Sequence, residues 1–429
     1  MIKKAVVLSI IIMIIFVQGV ALGNDGKTLK RTIDPVIIKG KDCGFILGHP
    51  ISNYNVYSYK DDKLNIIPFQ IDKVINGNYV LTSGKYKSTN SNNKFDKEDE
   101  LVFMVKDAGN KIKNYKFKDA ISCSEIEVID PETSDKTWVY LVLYRTATQK
   151  STVDYVNYNA EKLTITAANY IAAFNKDHPV AASYYAFGNG LGGNGTNIID
   201  RVKVRILMAA MGITLNYTEE DIKVKEYGYI DGPIRVIVHT KNITPLIFGI
   251  PASSTEQDTI YYYTYAEFPF SAKFPIKPSA FHATVIDDFR NCMGWKFYSS
   301  TNLAGQVIDG RMDDSDKSLN LAPWKWSVIT NDKLAFWSRC ISPAGSPVKV
   351  YLYYNDNANA VDKHEYVKGE LPGIGSDFKE GWSNLKTNSI KFNLSHFFTK
   401  SYSRGMEKEI LNVHDNPLKT SIKPFNADN

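Results

Sequence analysis

Apolar and polar residues alternate with a period of two in many short stretches of this 429-residue chain, and turn residues separate them. Strands are predicted over 36–39, 44–47, 54–59, 64–71, 101–105, 125–129 and 138–144 in the first third. In the strand at 54–59, Tyr57 and Tyr59 share one face and Val56 takes the other. Asp61-Asp62 and Asn76-Gly77 mark tight turns, the second a strong hairpin signal. At 200–208, Val202, Val204 and Ile206 oppose Lys203 and Arg205, so one face is greasy and the other charged. Further strands are predicted over 222–229, 234–239, 259–270, 295–298, 324–329, 334–337, 348–354, 390–398 and 409–413. Residues 159–174 have few breakers in their second half and predict a short helix, and polar 82–94 predicts a flexible loop. Many short strands between Gly, Asn, Asp and Pro turns indicate an all-β fold, a large antiparallel β-sandwich or supersandwich with few short helices.

Residues 188–195 (GNGLGGNG) are the most flexible stretch by composition and set a soft boundary. The organisation is therefore a leader at 1–23, an N-terminal sandwich part at 24–187 and a C-terminal part at 188–429, or one continuous supersandwich from 24 onward. Gly188, Gly190 and Gly193 match GxGxxG, but a strand, not a helix, follows them, so a loop is expected and not a dinucleotide site.

The leader reads as a signal peptide. Lys3-Lys4 precede an apolar run at 5–17, and Ala21-Leu22-Gly23 place small residues for cleavage before Asn24. The run is shorter than the roughly 20 residues of a membrane-spanning helix, and no later stretch approaches that length. A periplasmic or extracellular location follows as the expectation. The four cysteines, Cys43, Cys123, Cys292 and Cys340, then suggest two disulfides, with Cys43–Cys123 and Cys292–Cys340 the pairing local in sequence. Buried thiols are the alternative in a chain large enough to stand without staples.

Composition narrows the partners. Apolar residues make up 44%, enough for a sizeable core, and the formal charge of +5 gives no reason to expect nucleic acid. Aromatics reach 12%, with 26 Tyr. Trp138, Tyr140 and Tyr144 share a strand face, as do Tyr261, Tyr263 and Tyr265, with Glu267 continuing the second; Trp324 and Trp326 form a third pair. Flat rings with polar tips suit sugar faces, and they equally suit the space between two sheets. The ligand-binding candidates are therefore Tyr261, Tyr263, Tyr265, Glu267, Trp138 and Tyr140.

Catalytic signals are sparse. The seven histidines are scattered, with no HExxH, HxH or GxSxG pattern. His239, at a strand end, with Asp287 and Asp288 as acids, is the first catalytic candidate. Acidic or Asn-rich loops at 96–100, 309–316 (Asp309, Asp313, Asp314, Asp316) and 355–362 offer hard oxygens for calcium, but none has the Gly and Glu spacing of an EF-hand loop. Solvated turns account for them, so no metal and no cofactor is expected.

Ile67-Pro68-Phe69-Gln70-Ile71-Asp72, followed by Asp99-Glu100-Leu101-Val102-Phe103-Met104, resembles a "PFQID … DELVF" pair near the mature N-terminus of exported bacterial β-sandwich proteins of uncharacterised function. Asp231-Gly232-Pro233-Ile234-Arg235 and the Tyr-rich segment after it are similar to segments of galactose-mutarotase-like supersandwich domains. The resemblance covers about a tenth of the chain. It implies a fold and a carbohydrate association, and it transfers no catalytic residue. The expectation is an exported binding protein for a glycan-like ligand. A carbohydrate-active epimerase, lyase or hydrolase on the same fold is the alternative, and a structural or interaction protein of the envelope, with a protein partner, is the third class.

Overall fold

The computed structural model describes residues 26–425 except 89–90, 177–180, 211, 245, 248–249, 252, 275–279, 363, 365–366 and 370–371. The leader at 1–23 and the cleavage site before Asn24 lie outside the described residues. The chain is all-β, with two short α-helices, Asp314–Lys317 and Glu407–Asp415, and a few 3-10 turns among the described residues.

Residues from the first third build a small sandwich. Its larger sheet runs Lys63–Ile67, Tyr54–Lys60, Lys136–Tyr144, Ala120–Ile129 and Lys419–Pro424, so a strand from the far end of the chain completes it. The facing sheet runs Pro35–Lys39, Glu100–Met104 and Gln70–Asp72. Period-two alternation does the sorting: Val139, Leu141 and Leu143 enter the core between the sheets, while Trp138, Tyr140 and Val142 form a second cluster on the other face.

The rest holds a four-stranded sheet, Val156–Asn159, Thr164–Ala167, Tyr170–Phe174 and Ala182–Phe187, and a larger sandwich. A ten-stranded sheet runs Asn302–Val307, Lys296–Ser299, Ser327–Thr330, Leu334–Ile341, Ser389–Lys400, Tyr265–Lys273, Ser254–Tyr261, Val236–Ile243, Lys223–Asp231 and Ser83–Gly84. Facing it is a five-stranded sheet, Ile213–Thr218, Ile199–Ala210, Ala280–Phe289, Gly373–Glu380 and Lys349–Asn355. Residues of both sheets share one large apolar core. The helix Glu407–Asp415 supplies Ile410 and Val413 to a further cluster that also holds the other face of the ten-stranded sheet. No described helix is long and apolar enough to cross a membrane.

Several local expectations differ from the fold: the strand expected at 409–413 is the helix Glu407–Asp415, and that at 44–47 falls in the 3-10 turn Gly40–Ile46. The helix expected at 159–174 is two antiparallel strands, Thr164–Ala167 and Tyr170–Phe174, with Ile165 opposite Ala172. Its β-branched Thr164, Ile165, Thr166 and Ile171 favour the pleat over helix. The loop at 82–94 contributes Ser83–Gly84 to the edge of the ten-stranded sheet. The Gly-rich stretch begins as a compact 3-10 turn over Asn189–Leu191, and a Cβ on Gly188 or Gly190 would meet the Ala168 carbonyl oxygen at 2.5 or 2.7 Å. Those glycines allow close approach of two backbones.

The disulfides are corrected too. All four cysteines are buried thiols, with none bonded to another. Cys43 and Cys123 belong to clusters on opposite faces of the small sandwich's main sheet, which stands between them. Cys292 turns its thiol onto the Arg290 carbonyl oxygen at 3.1 Å, while Cys340 faces Ser376 on the opposite sheet. Burial pushes the thiols of Cys43, Cys123 and Cys340 up to about 12, which keeps them protonated and unreactive.

Candidate functional site

The charged face predicted at 200–208 is the outer face of the five-stranded sheet. Lys203 lies opposite Ile286 and Arg205 opposite Thr284 in the antiparallel register, and Asp288 projects from the same side two residues beyond Ile286. Tyr353 and Asn355 reach that face from Lys349–Asn355, and the segment after it brings Asn357 and Asp362 over the top. The result is a polar cleft of about 280 Å3.

Its charges are organised, and several are deeply buried although they sit on an outer face. Lys203 Nζ is 2.7 Å from Asp288 and 3.5 Å from Asp362, and the Lys203 and Asp288 side chains are only 5% and 4% exposed. Arg205 pairs with Asp362 at 2.9 Å and with the buried Glu219 at 2.7 Å. Arg201 backs the network through Glu219 at 3.2 Å and through Glu220. Burial pushes the Tyr353 phenol above its ordinary range, so the hydroxyl stays a donor. Cations, carboxylates, carboxamides and a phenol converging in one opening are the groups that donate to and accept from a polyhydroxylated ligand.

A second charged cluster is buried at its centre. Arg235 is fully buried; its Nε and Nη2 lie 2.9 and 2.8 Å from Asp72, Nη2 also meets Glu100, and Nη1 reaches Tyr262 Oη at 3.4 Å. Gln70 Oε1 accepts from the backbone N–H groups of Ile234 and Arg235 at 3.2 and 3.1 Å. Tyr79 donates to Glu100 at 2.9 Å, and Lys39 pairs with it at 2.6 Å. Burial works against ionised Glu100, but Arg235 and Lys39 hold its carboxyl below the usual range. The segments that carried the sequence resemblance, at 67–72, 99–104 and 231–235, therefore meet in one place. Gly232 is part of the fit, since a Cβ there would lie 2.3 Å from the Gln70 side chain. Arg235 and Asp72 are buried, solvent is met at Lys39, whose side chain is 47% exposed, and the cluster ties the small sandwich to the ten-stranded sheet.

The aromatic candidates are placed inside. The expected single strand over 259–270 is a hairpin: Tyr261 ends one strand, Tyr265 begins the next, and the Tyr262 N–H donates to the Tyr265 carbonyl at 2.8 Å. Tyr261 therefore points into the large core, while Tyr263 and Tyr265 belong to the cluster on the other side of the sheet. Tyr265 stacks between Tyr262 and Phe397, at 4.8 and 4.6 Å between centroids. The Lys106 ammonium sits 3.7 Å from the Tyr263 ring centre. Glu267 pairs with His414 at 3.1 Å; burial opposes its ionisation, but His414 holds the carboxyl below the usual range. Trp138 and Tyr140 are buried in their own cluster, where Tyr140 Oη accepts from the Ile112 N–H at 2.7 Å.

The structure separates the catalytic candidates. His239 pairs with Asp258 at 2.7 Å, on its own sheet. Asp287 points inward to His396 at 3.3 Å, and its neighbour Asp288 points outward into the cleft. Asp313 and Asp316 form the capping box of the helix Asp314–Lys317, and Asp309 Oδ1 accepts from the Arg311 N–H at 3.0 Å. Among the described residues, no group of three or more His, Cys, Asp or Glu gathers as a metal site. Sequence reasoning missed Lys203, Arg205 and Tyr353, although the two-faced pattern at 200–208 already set Lys203 and Arg205 apart.

No family model matches this chain, and no curated protein matches its sequence. Among solved structures, an alpha-mannosidase from Enterococcus faecalis V583 is similar over 93% of this chain, at 8% identity and a TM-score of 0.51. That likeness shows a shared fold. The chain spans 45% of the mannosidase, somewhat less than half of its length. A galactose 1-epimerase from Lactobacillus acidophilus NCFM matches 65% of this chain and 99% of its own length, at 8% identity and a TM-score of 0.38.

Proposed function

We propose that the protein is carbohydrate-directed and that saccharide hydroxyls bind in the cleft of Lys203, Arg205, Asp288 and Asp362. The observation that carries this reading is the pair of buried charges, Lys203 and Asp288, set at the floor of an opening on an outer sheet face. Charges held at such a depth are costly unless they serve the fold or a ligand. Of the readings open from the sequence, a carbohydrate-active enzyme has more support than a non-catalytic binding protein. Two carboxylates, Asp288 and Asp362, converge on one lysine, and glycoside chemistry uses carboxyl groups in pairs. The fold shared with a mannosidase supports the same reading. An exported location, inferred from residues 1–23, would give the cleft access to glycans outside the cytoplasm.

The test is a glycan array together with a panel of p-nitrophenyl glycosides, run on wild type and Asp288→Asn. Turnover by wild type that Asp288→Asn removes, with saccharide binding retained, supports the enzyme. Saccharide bound without turnover leaves a binding protein. Neither binding nor turnover rejects the cleft as a saccharide site.

A further inference from the structure

The strand Ile199–Ala210 has a second space on its inward side. Between the two sheets of the large sandwich lies a cavity of about 170 Å3. Protein interiors are close-packed and hold few voids larger than a water molecule. Apolar cavities of about 150 Å3 take up small hydrocarbons such as benzene. Here Val202, Val204, Ile206 and Val285 point from one wall and Phe268 and Leu394 from the other, yet each stays only half-buried. Apolar side chains that face the opposite sheet without being closed off are what an unfilled ligand space leaves behind.

The polar groups in the lining identify the ligand further. Thr244 and Ser253 bond to one another, the Ser253 N–H to Thr244 Oγ1 at 2.7 Å and the two hydroxyls at 3.0 Å. Gln257 donates to Thr259 at 2.9 Å, and His396 sits between Tyr185 and Asp287. Asn242 differs. It is 2% exposed, and its Nδ2 donates to Thr240 at 3.3 Å, but its carbonyl Oδ1 has no hydrogen-bond partner among the described residues. A buried acceptor without a donor is unfavourable, and a ligand O–H would relieve it.

We propose that this cavity binds an aliphatic alcohol, its chain of about six to eight carbons filling the apolar space and its hydroxyl donating to Asn242 Oδ1. The site is separate from the saccharide cleft and does not depend on it.

Calorimetric titration of the full chain with 1-alkanols from butanol to decanol, and with their methyl ethers, tests the assignment. Affinity should rise about fourfold per added methylene until the cavity is full. Methyl ethers, which cannot donate, should bind about fivefold to tenfold more weakly. Asn242→Leu should erase that difference, and Val204→Phe should abolish saturable binding. Ala283→Leu serves as a second filling variant should Val204→Phe fail to fold. No saturable binding by folded wild type overturns the proposal, as does binding that both filling variants leave unchanged. Ethers binding as tightly as alcohols overturn the role of Asn242.

Discussion

The two charged clusters of this molecule share their chemistry and differ in access to solvent. Around Arg235, one guanidinium meets Asp72 and Glu100 with both partners buried, and Lys39, 47% exposed, covers Glu100 from the rim. Around Lys203 and Arg205, cations again meet carboxylates, but the network rises from a buried floor at Asp288 to Asp362, whose side chain is 39% exposed. A cluster centred on a fully buried guanidinium acts on the fold. An open one can exchange its protein partners for a ligand's hydroxyls. Residue type alone does not separate the two; the cleft that opens over Lys203 and Asp288 does.

The largest effect is expected at Arg235. Arg235→Met should leave Asp72 and Glu100 as buried carboxylates without their main counter-charge, at a cost of about 3–5 kcal/mol. Chemical denaturation measures it. A loss below about 1 kcal/mol, within the range of an exposed ion pair, would show that the cluster is not a lock.

Asp356 is a buried carboxylate with no cation among the described residues that contact it, and its expected effect is intermediate. Its oxygens accept the N–H groups of Asp309 and Gly310 at 2.8 and 3.1 Å. Burial pushes its pKa up to about 6, the two N–H bonds pull it down, and the charges of Asp316 and Asp309 add to the rise. The folded chain therefore keeps a proton between about pH 4 and 6 that the unfolded chain has released. The stability contributed by this group is fully present below about pH 4 and is lost as pH rises through 6. The expected loss is about 1–2 kcal/mol after allowance for solvent screening. Glu100 and Glu267, held low, slope the other way, so the readout is the difference between wild type and Asp356→Asn across pH 4–7. Parallel curves would dismiss the effect.

How much of this could be read from the chain depends on the range of the cause. Period two placed Val139, Leu141 and Leu143 in one core and Val202, Val204 and Ile206 opposite Lys203 and Arg205, because alternation is local. The all-β class followed from the same signal. The tyrosines at 261–265 also alternate, but a hairpin interrupts them, and no Gly or Asn marks that turn. Tyr265 is covered by Phe397 and His414, which lie more than a hundred residues away. Arg235 joined to Asp72 and Glu100 is likewise a product of tertiary contact, visible beforehand only as three separate islands. Asp287 and Asp288 show the limit most plainly. They are adjacent in sequence, yet the pleat sends one to His396 in the core and the other to the cleft.

The smallest effect on stability should accompany a large effect on binding. Arg205 is 22% exposed, and its removal leaves Glu219 with Arg201 and Asp362 with Lys203. No carboxylate is stranded, so Arg205→Met should cost about 1 kcal/mol or less, as for partly exposed pairs. If the cleft holds a saccharide, the same change removes a charged donor at its rim and should weaken binding by about tenfold or more. Arg235→Met, in whatever fraction remains folded, should bind the same saccharide with unchanged affinity, because the buried cluster touches no ligand. Melting curves paired with titration of the best glycan from the array measure both quantities on both variants. A stability loss in Arg205→Met as large as that in Arg235→Met, with binding unmoved, would make the open cluster a second lock and remove the distinction between them.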